Sequence, residues 1–204
     1  MKVWAAVWAG ALAIFVWLAL DMRSGITPAF DFPVRTWVHA HSTPPVTALM
    51  RGFSLVGQPV ILISLGALTV FWLVVAGRPR SALWFAIAVA GAEILDQLLK
   101  RAFQRTRPVP FFGIATPNSY SFPSGHALVS CTFCLSLAAI AGARIASRTR
   151  RWISYAAAAA LTGAIGFSRI YLGVHYPSDV LGGYAAAAVW VIIVEWHPHQ
   201  GRWR

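Results

Sequence analysis

The 204-residue chain is 58% hydrophobic and only 11% charged, and its mean hydropathy is +0.63. Soluble domains average about 25% charged residues, so this composition excludes an ordinary soluble protein. The formal net charge of +11 would suggest nucleic acid as the partner of a soluble chain. In a membrane protein the same charge is typical of cytoplasmic loops, which collect Lys and Arg. We therefore expect one membrane-embedded domain over residues 1–204 and no nucleic-acid partner.

Six apolar runs predict six membrane helices and an all-α fold. Each run has about 17–20 residues, enough to cross about 30 Å of hydrocarbon. The first run is longer than the apolar region of a signal peptide, and no small-residue cleavage site follows it, so we expect a retained helix. The six predicted spans are Val3–Leu20, Pro59–Ala76, Leu83–Leu99, Ala127–Ile145, Ile153–Tyr171 and Val180–Trp196.

The segment between the first two spans is mixed in character. A helix that begins at Pro33 places apolar residues and His41 on one face, and Thr43-Pro44-Pro45 ends it. A second short helix is predicted over residues 46–53. Both fit short amphipathic helices that lie in the membrane interface. His39 and His41 are two apart on a helix and do not face each other, which favours interfacial histidines over metal ligands.

Small residues in the fourth and fifth spans indicate tight helix packing. The fifth span is rich in Ala and Gly, which allow membrane helices to approach closely. Cys131 and Cys134, the two cysteines of the chain, are three apart in an apolar run. We interpret them as buried apolar residues and not as a metal or redox pair.

The distribution of cations predicts that both termini are cytoplasmic. With the N-terminus inside, nine cations lie on the cytoplasmic side and three on the other, provided that the five in the polar stretches after the third and fifth spans are set aside. The nine are Lys2, Arg78, Arg80, Arg144, Arg148, Arg150, Arg151, Arg202 and Arg204; the three are Arg23, Arg35 and Arg51; the five are Lys100, Arg101, Arg105, Arg107 and Arg169. Residue usage rich in Ala, Trp and Arg indicates a bacterial source, so we expect the inner membrane with the polar stretches on its outer face.

Acidic residues inside the third span require an explanation, because ionisable groups are costly in lipid and face the bundle interior. Asp96 and Lys100 are four apart and can pair on one helix face. Glu93 and Gln97 align with Lys100 in the same way. We interpret Asp96 and Glu93 as supporting residues that orient Lys100, in preference to direct catalysis by either acid.

The polar stretches are typical of a phosphate site. Phosphoryl transfer needs fixed positive charge and N–H donors around the phosphate oxygens, and Lys100, Arg107 and Arg169 supply the charge. Ser124 and Gly125 precede an apolar run, and the first N–H groups of a helix bind anions. Glycine also lets the backbone approach a phosphate closely.

Two histidines accompany these cations, as a two-step reaction requires. His175 and Asp179 are four apart, so the carboxylate can hold one ring nitrogen and leave the other free to attack. His126 is then available to protonate the leaving oxygen. Each histidine alone would suit a structural role, but together with three cations at the ends of membrane helices they predict an active site.

These residues form three motifs, K-x6-RP, PSGH and SR-x5-H-x3-D, at Lys100 to Pro108, Pro123 to His126 and Ser168 to Asp179. In this order and spacing the chain resembles the type 2 phosphatidic acid phosphatase superfamily, which includes bacterial lipid phosphatases, glucose-6-phosphatases and vanadium haloperoxidases. Every defining position matches. The motifs cover residues 100–179, and the six-helix layout extends the resemblance over the whole chain. The haloperoxidases are soluble, so the predicted spans argue against that branch.

The resemblance implies a role for each motif residue. His175 is expected to form a phosphohistidine, Asp179 to orient it and His126 to act as general acid. The implied phosphate ligands are Lys100, Arg107, Ser124, Gly125 and Arg169. No metal and no other cofactor are expected, because the cations do the work of a metal.

The substrates that the family implies are undecaprenyl diphosphate, phosphatidylglycerol phosphate, phosphatidic acid and lipid A phosphates. Two alternatives stay open at this point. The first is a phosphotransferase that uses the same intermediate with an acceptor other than water. The second is a transporter or structural protein whose charges line a permeation path, which the presence of a nucleophile and an acid disfavours.

Overall fold

A computed structural model describes residues 2–24 and 29–195, and within them the chain forms eight α-helices and no strand. The helices are α1 (Lys2–Arg23), α2 (Asp31–Ala40), α3 (Pro44–Val56), α4 (Pro59–Val75), α5 (Pro79–Phe103), α6 (Gly125–Gly142), α7 (Arg148–Tyr171) and α8 (Pro177–Glu195). The all-α prediction is confirmed for this part of the chain. The predicted end of the last span at Trp196, and the cations Arg202 and Arg204, lie outside the described residues.

Five of the helices, α1, α5, α6, α7 and α8, are long and apolar enough to cross a membrane. The second predicted span is less simple. α4 has 17 residues and reaches this standard only together with α3, from which it is bent by 50°. The described chain therefore has five candidate spans, or six if the bent pair is one span. The short helix predicted over residues 46–53 corresponds to the middle of α3. Only Gly57 and Gln58 separate α3 from α4.

Helix α6 is the centre of the bundle and packs against α4, α5, α7 and α8. Most of its residues are buried, and Leu128 and Phe133 join Phe85 of α5 in the main apolar core. The outward faces of the other helices carry large exposed apolar side chains, such as Leu68 and Phe71 of α4, which suit contact with lipid. Burial at the centre and exposure at the rim together favour a membrane-embedded bundle.

Glycines set two close helix contacts, of which the one in α7 was predicted from its small residues. A Cβ at Gly91 of α5 would lie 2.2 Å from Trp190 of α8, and a Cβ at Gly166 of α7 would lie 1.9 Å from the Tyr184 hydroxyl. Cys134 is buried and Cys131 half-buried, and both are free thiols, which agrees with their interpretation as packing residues.

The helix directions bring the polar stretches to one end of the bundle. α5 and α7 end there, and α6 and α8 begin there. α2 lies across the same end and contacts α7 and α8. It begins at Asp31, two residues before the predicted start, with Pro33 in its first turn. The ring of His39 stacks on Phe111, and the ring of His41 contacts Trp37 at a tilt of 33°.

Candidate active site

The loop over residues 104–124 carries the first motif across to the turn between α7 and α8. It begins at Gln104, directly after α5, and the φ of +49° at this residue turns the chain out of the helix. Phe111 donates its N–H to the Leu172 carbonyl at 3.0 Å. Gly173 lies against this point with φ +74°, and a Cβ there would be 2.8 Å from the Phe111 nitrogen. Only glycine fits both the left-handed backbone and the space, so this contact fixes the loop beside His175.

His175 and Asp179 form the predicted pair, with 3.2 Å between the imidazole Nδ1 and the carboxylate Oδ2. Both side chains are buried. The other ring nitrogen, Nε2, lies 2.9 Å from Nη1 of Arg107. A guanidinium only donates, so Nε2 must accept this bond and Nδ1 carries the proton toward Asp179. The contact therefore selects the tautomer in which Nε2 is unprotonated and its lone pair accepts from Arg107.

The surroundings of His175 also keep the ring uncharged. Burial is the main cause that lowers its pKa, to about 3, and the charges of Arg107 and Arg169 act in the same direction. The hydrogen bond to Asp179 opposes this shift but does not reverse it. At neutral pH the imidazole is a neutral base with its nucleophilic nitrogen unprotonated.

Asp179 is held at four points besides His175. Its Oδ2 accepts a hydrogen bond from the Ser121 hydroxyl and another from the Tyr176 N–H at 2.9 Å. Its Oδ1 accepts from Arg105 Nη1 at 2.5 Å. Its backbone carbonyl accepts from the Ser124 N–H at 2.9 Å, which ties the start of α8 to the start of α6. A carboxylate bound in this way has little freedom to rotate.

Arg107 is fixed as firmly as Asp179. Its Nε donates to the Ser119 carbonyl at 2.7 Å, its Nη2 to the Ser119 hydroxyl at 2.9 Å, and its Nη1 to the Val174 carbonyl at 2.8 Å. These bonds hold the guanidinium beside His175, where its charge can meet an oxygen of a phosphate bound to Nε2.

Arg169 and His126 meet at Ser54 of α3. Arg169 projects from the last turn of α7 and donates through Nη1 to the Ser54 hydroxyl. The His126 ring, at the second position of α6, is hydrogen-bonded to the backbone of Ser54. Gly57 follows, and a Cβ there would lie 3.3 Å from the His126 ring and 2.3 Å from Ile165. The bend between α3 and α4 thus closes over this side of the site.

Lys100 makes the predicted pair with Asp96, at 2.5 Å between Nζ and Oδ2. The pair lies under the first residue of α6, since a Cβ at Gly125 would be 2.7 Å from Asp96 Oδ2 and 2.9 Å from Lys100 Nζ. Glu93 is one step further away, because it accepts a hydrogen bond from Gln97 and not from Lys100. Of the two predicted supporting acids, Asp96 is the one in direct contact.

Polar atoms of three motif residues have no hydrogen-bond partner within the described protein although they are buried. They are Ser124 Oγ, His126 Nε2 and Arg169 Nε. Buried polar groups are normally satisfied, so unpaired polar atoms on two predicted phosphate ligands and on the predicted acid are consistent with a site that a ligand completes. Ser124 is the N-cap of α6 and makes no side-chain cap bond, so the first N–H groups of the helix are available to the same ligand.

Several residues of the site escaped the sequence analysis. Ser54 and Asp31 come from α3 and α2, far from the motifs in sequence, and Ser119, Ser121 and Ser178 lie among unremarkable polar residues. One signal was available. Asp31 is one of only six acidic residues in an apolar chain, and a buried acid in such a chain needs a partner.

A family model described as the PAP2 superfamily matches residues 81–202. Decaprenylphosphoryl-5-phosphoribose phosphatase from Mycobacterium tuberculosis is 32% identical over 162 residues, which are 74% of this chain and 80% of that protein. Phosphatidylglycerophosphatase B from Bacillus subtilis is 30% identical over 105 residues, and this match covers 50% of the chain and about half, 51%, of the relative.

The fold has a counterpart among solved structures. The crystal structure of a transmembrane PAP2-type phosphatidylglycerolphosphate phosphatase from Bacillus subtilis superposes with a TM-score of 0.80. The superposition covers 91% of this chain and 94% of the other at 22% identity, which shows a shared fold. The family match includes all three motifs and more than half of the chain, and we conclude that this chain belongs to the PAP2 superfamily, as the motifs predicted.

Proposed function

We propose that the protein is an integral-membrane lipid phosphatase that hydrolyses a lipid phosphate or diphosphate through a phosphohistidine. One observation carries the proposal. The unprotonated Nε2 of buried His175 lies 2.9 Å from the guanidinium of Arg107, beside a group of buried donors without protein partners. An unprotonated imidazole nitrogen held beside fixed cations suits attack on a phosphorus atom.

In the first step the Nε2 lone pair of His175 forms a bond to phosphorus while the bond from phosphorus to the leaving oxygen breaks. The ring becomes cationic, and Asp179 stabilises it through Nδ1. His126 gives a proton to the leaving oxygen. Lys100, Arg107, Arg169 and the first N–H groups of α6 stabilise the charge on the three equatorial oxygens.

In the second step water attacks the phosphohistidine on the opposite side. His126 takes a proton from the water, the bond between Nε2 and phosphorus breaks, and inorganic phosphate leaves. His175 recovers its lone pair and Asp179 still holds Nδ1, so the enzyme returns to its starting state. Fixed cations supply the charge stabilisation throughout, and we propose that no divalent metal takes part.

A lipid substrate suits the surroundings of the site. The motif residues lie at one end of a bundle with five or six candidate spans, where a head group at the membrane surface would meet them. The relatives named above are phosphatases of decaprenylphosphoryl-5-phosphoribose and of phosphatidylglycerophosphate. With cytoplasmic termini, this end faces outward, so we place the active site on the outer face of a bacterial inner membrane.

The test is phosphate release by the purified protein from a panel of monophosphate and diphosphate lipids, with His175→Ala as the control for contaminating phosphatases. We expect release that survives a chelator and is inhibited by orthovanadate, which mimics five-coordinate phosphorus. A requirement for magnesium would refute the metal-free mechanism. Transfer of phosphate to an added alcohol in preference to water would favour the phosphotransferase, and no turnover of any phosphate ester would favour the non-catalytic alternative.

A further inference from the structure

A third carboxylate lies behind the pair of His175 and Asp179. Asp31, the first residue of α2, is fully buried. Its Oδ1 accepts from the Ser178 N–H at 2.8 Å, and its Oδ2 accepts from the Ser178 hydroxyl at 2.5 Å. Asp31 is thus bonded to the residue that directly precedes Asp179.

Arg105 links this carboxylate to Asp179. Its Nη2 lies 2.9 Å from Asp31 Oδ2, and its Nη1 lies 2.5 Å from Asp179 Oδ1 and 2.7 Å from the Ser178 hydroxyl. The guanidinium also lies over the Tyr176 ring, 4.2 Å from its centroid. Burial alone would lower the pKa of Arg105, but Asp179 and Asp31 together outweigh burial and raise it. Arg105 is therefore a permanent cation between two carboxylates.

This arrangement separates Arg105 from the arginine two residues later. Arg107 contacts His175 Nε2, the atom that faces the phosphate, whereas both terminal nitrogens of Arg105 are occupied by carboxylates on the far side of the pair. Nη1 uses both of its N–H groups, on Asp179 and Ser178, and Nη2 is bound to Asp31. The guanidinium is therefore directed at the carboxylates, and we assign its effect on the substrate to Asp179.

We propose that Asp31 and Arg105 are positioning residues that fix the orientation and the effective charge of Asp179 and thereby control the attack by His175. The inference rests on the proposed function and extends it from α8 to the helix α2. Asp31 partly neutralises Arg105, so that Asp179 keeps enough negative charge to stabilise the cationic ring formed on phosphorylation. Arg105 in turn places a cation between two buried carboxylates, which lowers the cost of holding them close together.

The three charges predict how single and paired substitutions differ. Asp31→Asn leaves Arg105 facing Asp179 alone, so the carboxylate stabilises the cationic ring less well. Arg105→Gln leaves two buried carboxylates without the cation between them, which is the more damaging change. Removing both charges together restores the net charge that the three groups have in the wild type, so the double variant should be more active than Arg105→Gln alone.

The experiment measures kcat, KM and the pH dependence of kcat/KM for these three variants, with Asp21→Asn on α1 as the matched control outside the network. Asp31→Asn should lower kcat about 10- to 100-fold with little change in KM, a smaller loss than removal of the orienting acid itself. Arg105→Lys should restore part of the activity that Arg105→Gln loses. Thermal melting of each variant separates misfolding from loss of turnover.

The pH profile distinguishes a charge effect from a merely structural one. Loss of the cation in Arg105→Gln should raise the pKa of His175 and move the acid limb of kcat/KM to higher pH, whereas Asp31→Asn should move it the other way. The charged and titratable groups around His175 and Asp179 are Asp31, Arg105, Arg107, His126 and Arg169. Each variant changes only Asp31, Arg105 or both, so the other three groups act equally on the pKa of His175 throughout.

The inference is wrong if folded Asp31→Asn matches Asp21→Asn in kcat, KM and acid limb. It is also wrong if the fold-loss of kcat/KM in the double variant equals the product of the two single fold-losses, because the free-energy costs of independent substitutions add. Failure of the proposed function looks different, since the wild-type protein would then release no phosphate from any lipid and the comparison of variants would have no starting activity.

Discussion

Replacing Gly125 with alanine should lower activity without unfolding the protein. The added Cβ would lie 2.7 Å from Asp96 Oδ2 and 2.9 Å from Lys100 Nζ, whereas ordinary contacts begin near about 3.4 Å, so the pair must move by roughly half an ångström or more. The Lys100 side chain is flexible and can retreat, which spares the fold. Because a misplacement of about 1 Å can cost about 10²-fold in rate, we expect kcat/KM to fall by up to that factor, about 2.7 kcal/mol.

The assay compares phosphate release and melting temperature in Gly125→Ala and in Gly52→Ala. Gly52 is the matched control, since a Cβ there meets nothing within 4 Å and alanine favours a helix by up to about 1 kcal/mol. In a Lys100→Ala background, Gly125→Ala should cost less, because one of the two side chains that the Cβ displaces is gone and only Asp96 remains to be moved. Wild-type kcat/KM in Gly125→Ala would refute the claim that a side chain at residue 125 disturbs the pair of Asp96 and Lys100.

Three further outcomes are expected. His175→Ala should abolish turnover of every substrate. His126→Ala removes general acid help typically worth about 10²–10⁴-fold, and much of this loss should be recovered on a diphosphate lipid or a nitrophenyl ester, whose leaving groups depart more easily unprotonated. Equal losses on these substrates and on a monophosphate lipid would contradict the role of His126 as the acid. The pKa of His175 is lowered from 6.5 to about 3 in the folded protein, so the unfolded chain binds more protons between these pH values. The melting temperature should therefore fall as the pH drops from 6.5 toward 3, and it should fall by less in His175→Asn. An equal dependence of melting temperature on pH in both proteins would count against a buried neutral His175. A cysteine introduced at one of residues 116–119 should react with a membrane-impermeant thiol reagent in intact cells, and labelling only after permeabilisation would reverse the topology.

The sequence predicted the spans better than their ends. Apolar runs locate α5 and α7, but α5 begins at Pro79 and α7 at Arg148, each several residues before the predicted start. Proline suits the first turn of a helix, and Ser147 caps α7 by accepting from the Arg150 N–H. Polar first turns of this kind do not register as apolar runs. Nor does composition show that α3 continues into α4 through a 50° bend.

For the site, the motifs predicted contacts that are close in sequence. The bonds of His175 with Asp179 and of Lys100 with Asp96 each join residues four apart, so helical periodicity was enough. The bonds of Asp31 with Arg105 and of Ser54 with Arg169 join residues 74 and 115 apart, respectively. No spacing rule connects such pairs, since they depend on how α2 and α3 fold back over the ends of α7 and α8.

The central claim is that His175 carries the phosphoryl group, and rapid acid-free quenching of turnover with a phosphorus-labelled lipid tests it most directly. The account predicts a protein-bound phosphate that is labile in acid and stable in alkali, maps to His175 by mass spectrometry and is absent from His175→Ala. Labelled phosphate on any other residue, or full turnover by His175→Ala with no protein-bound phosphate in the wild type, would contradict it.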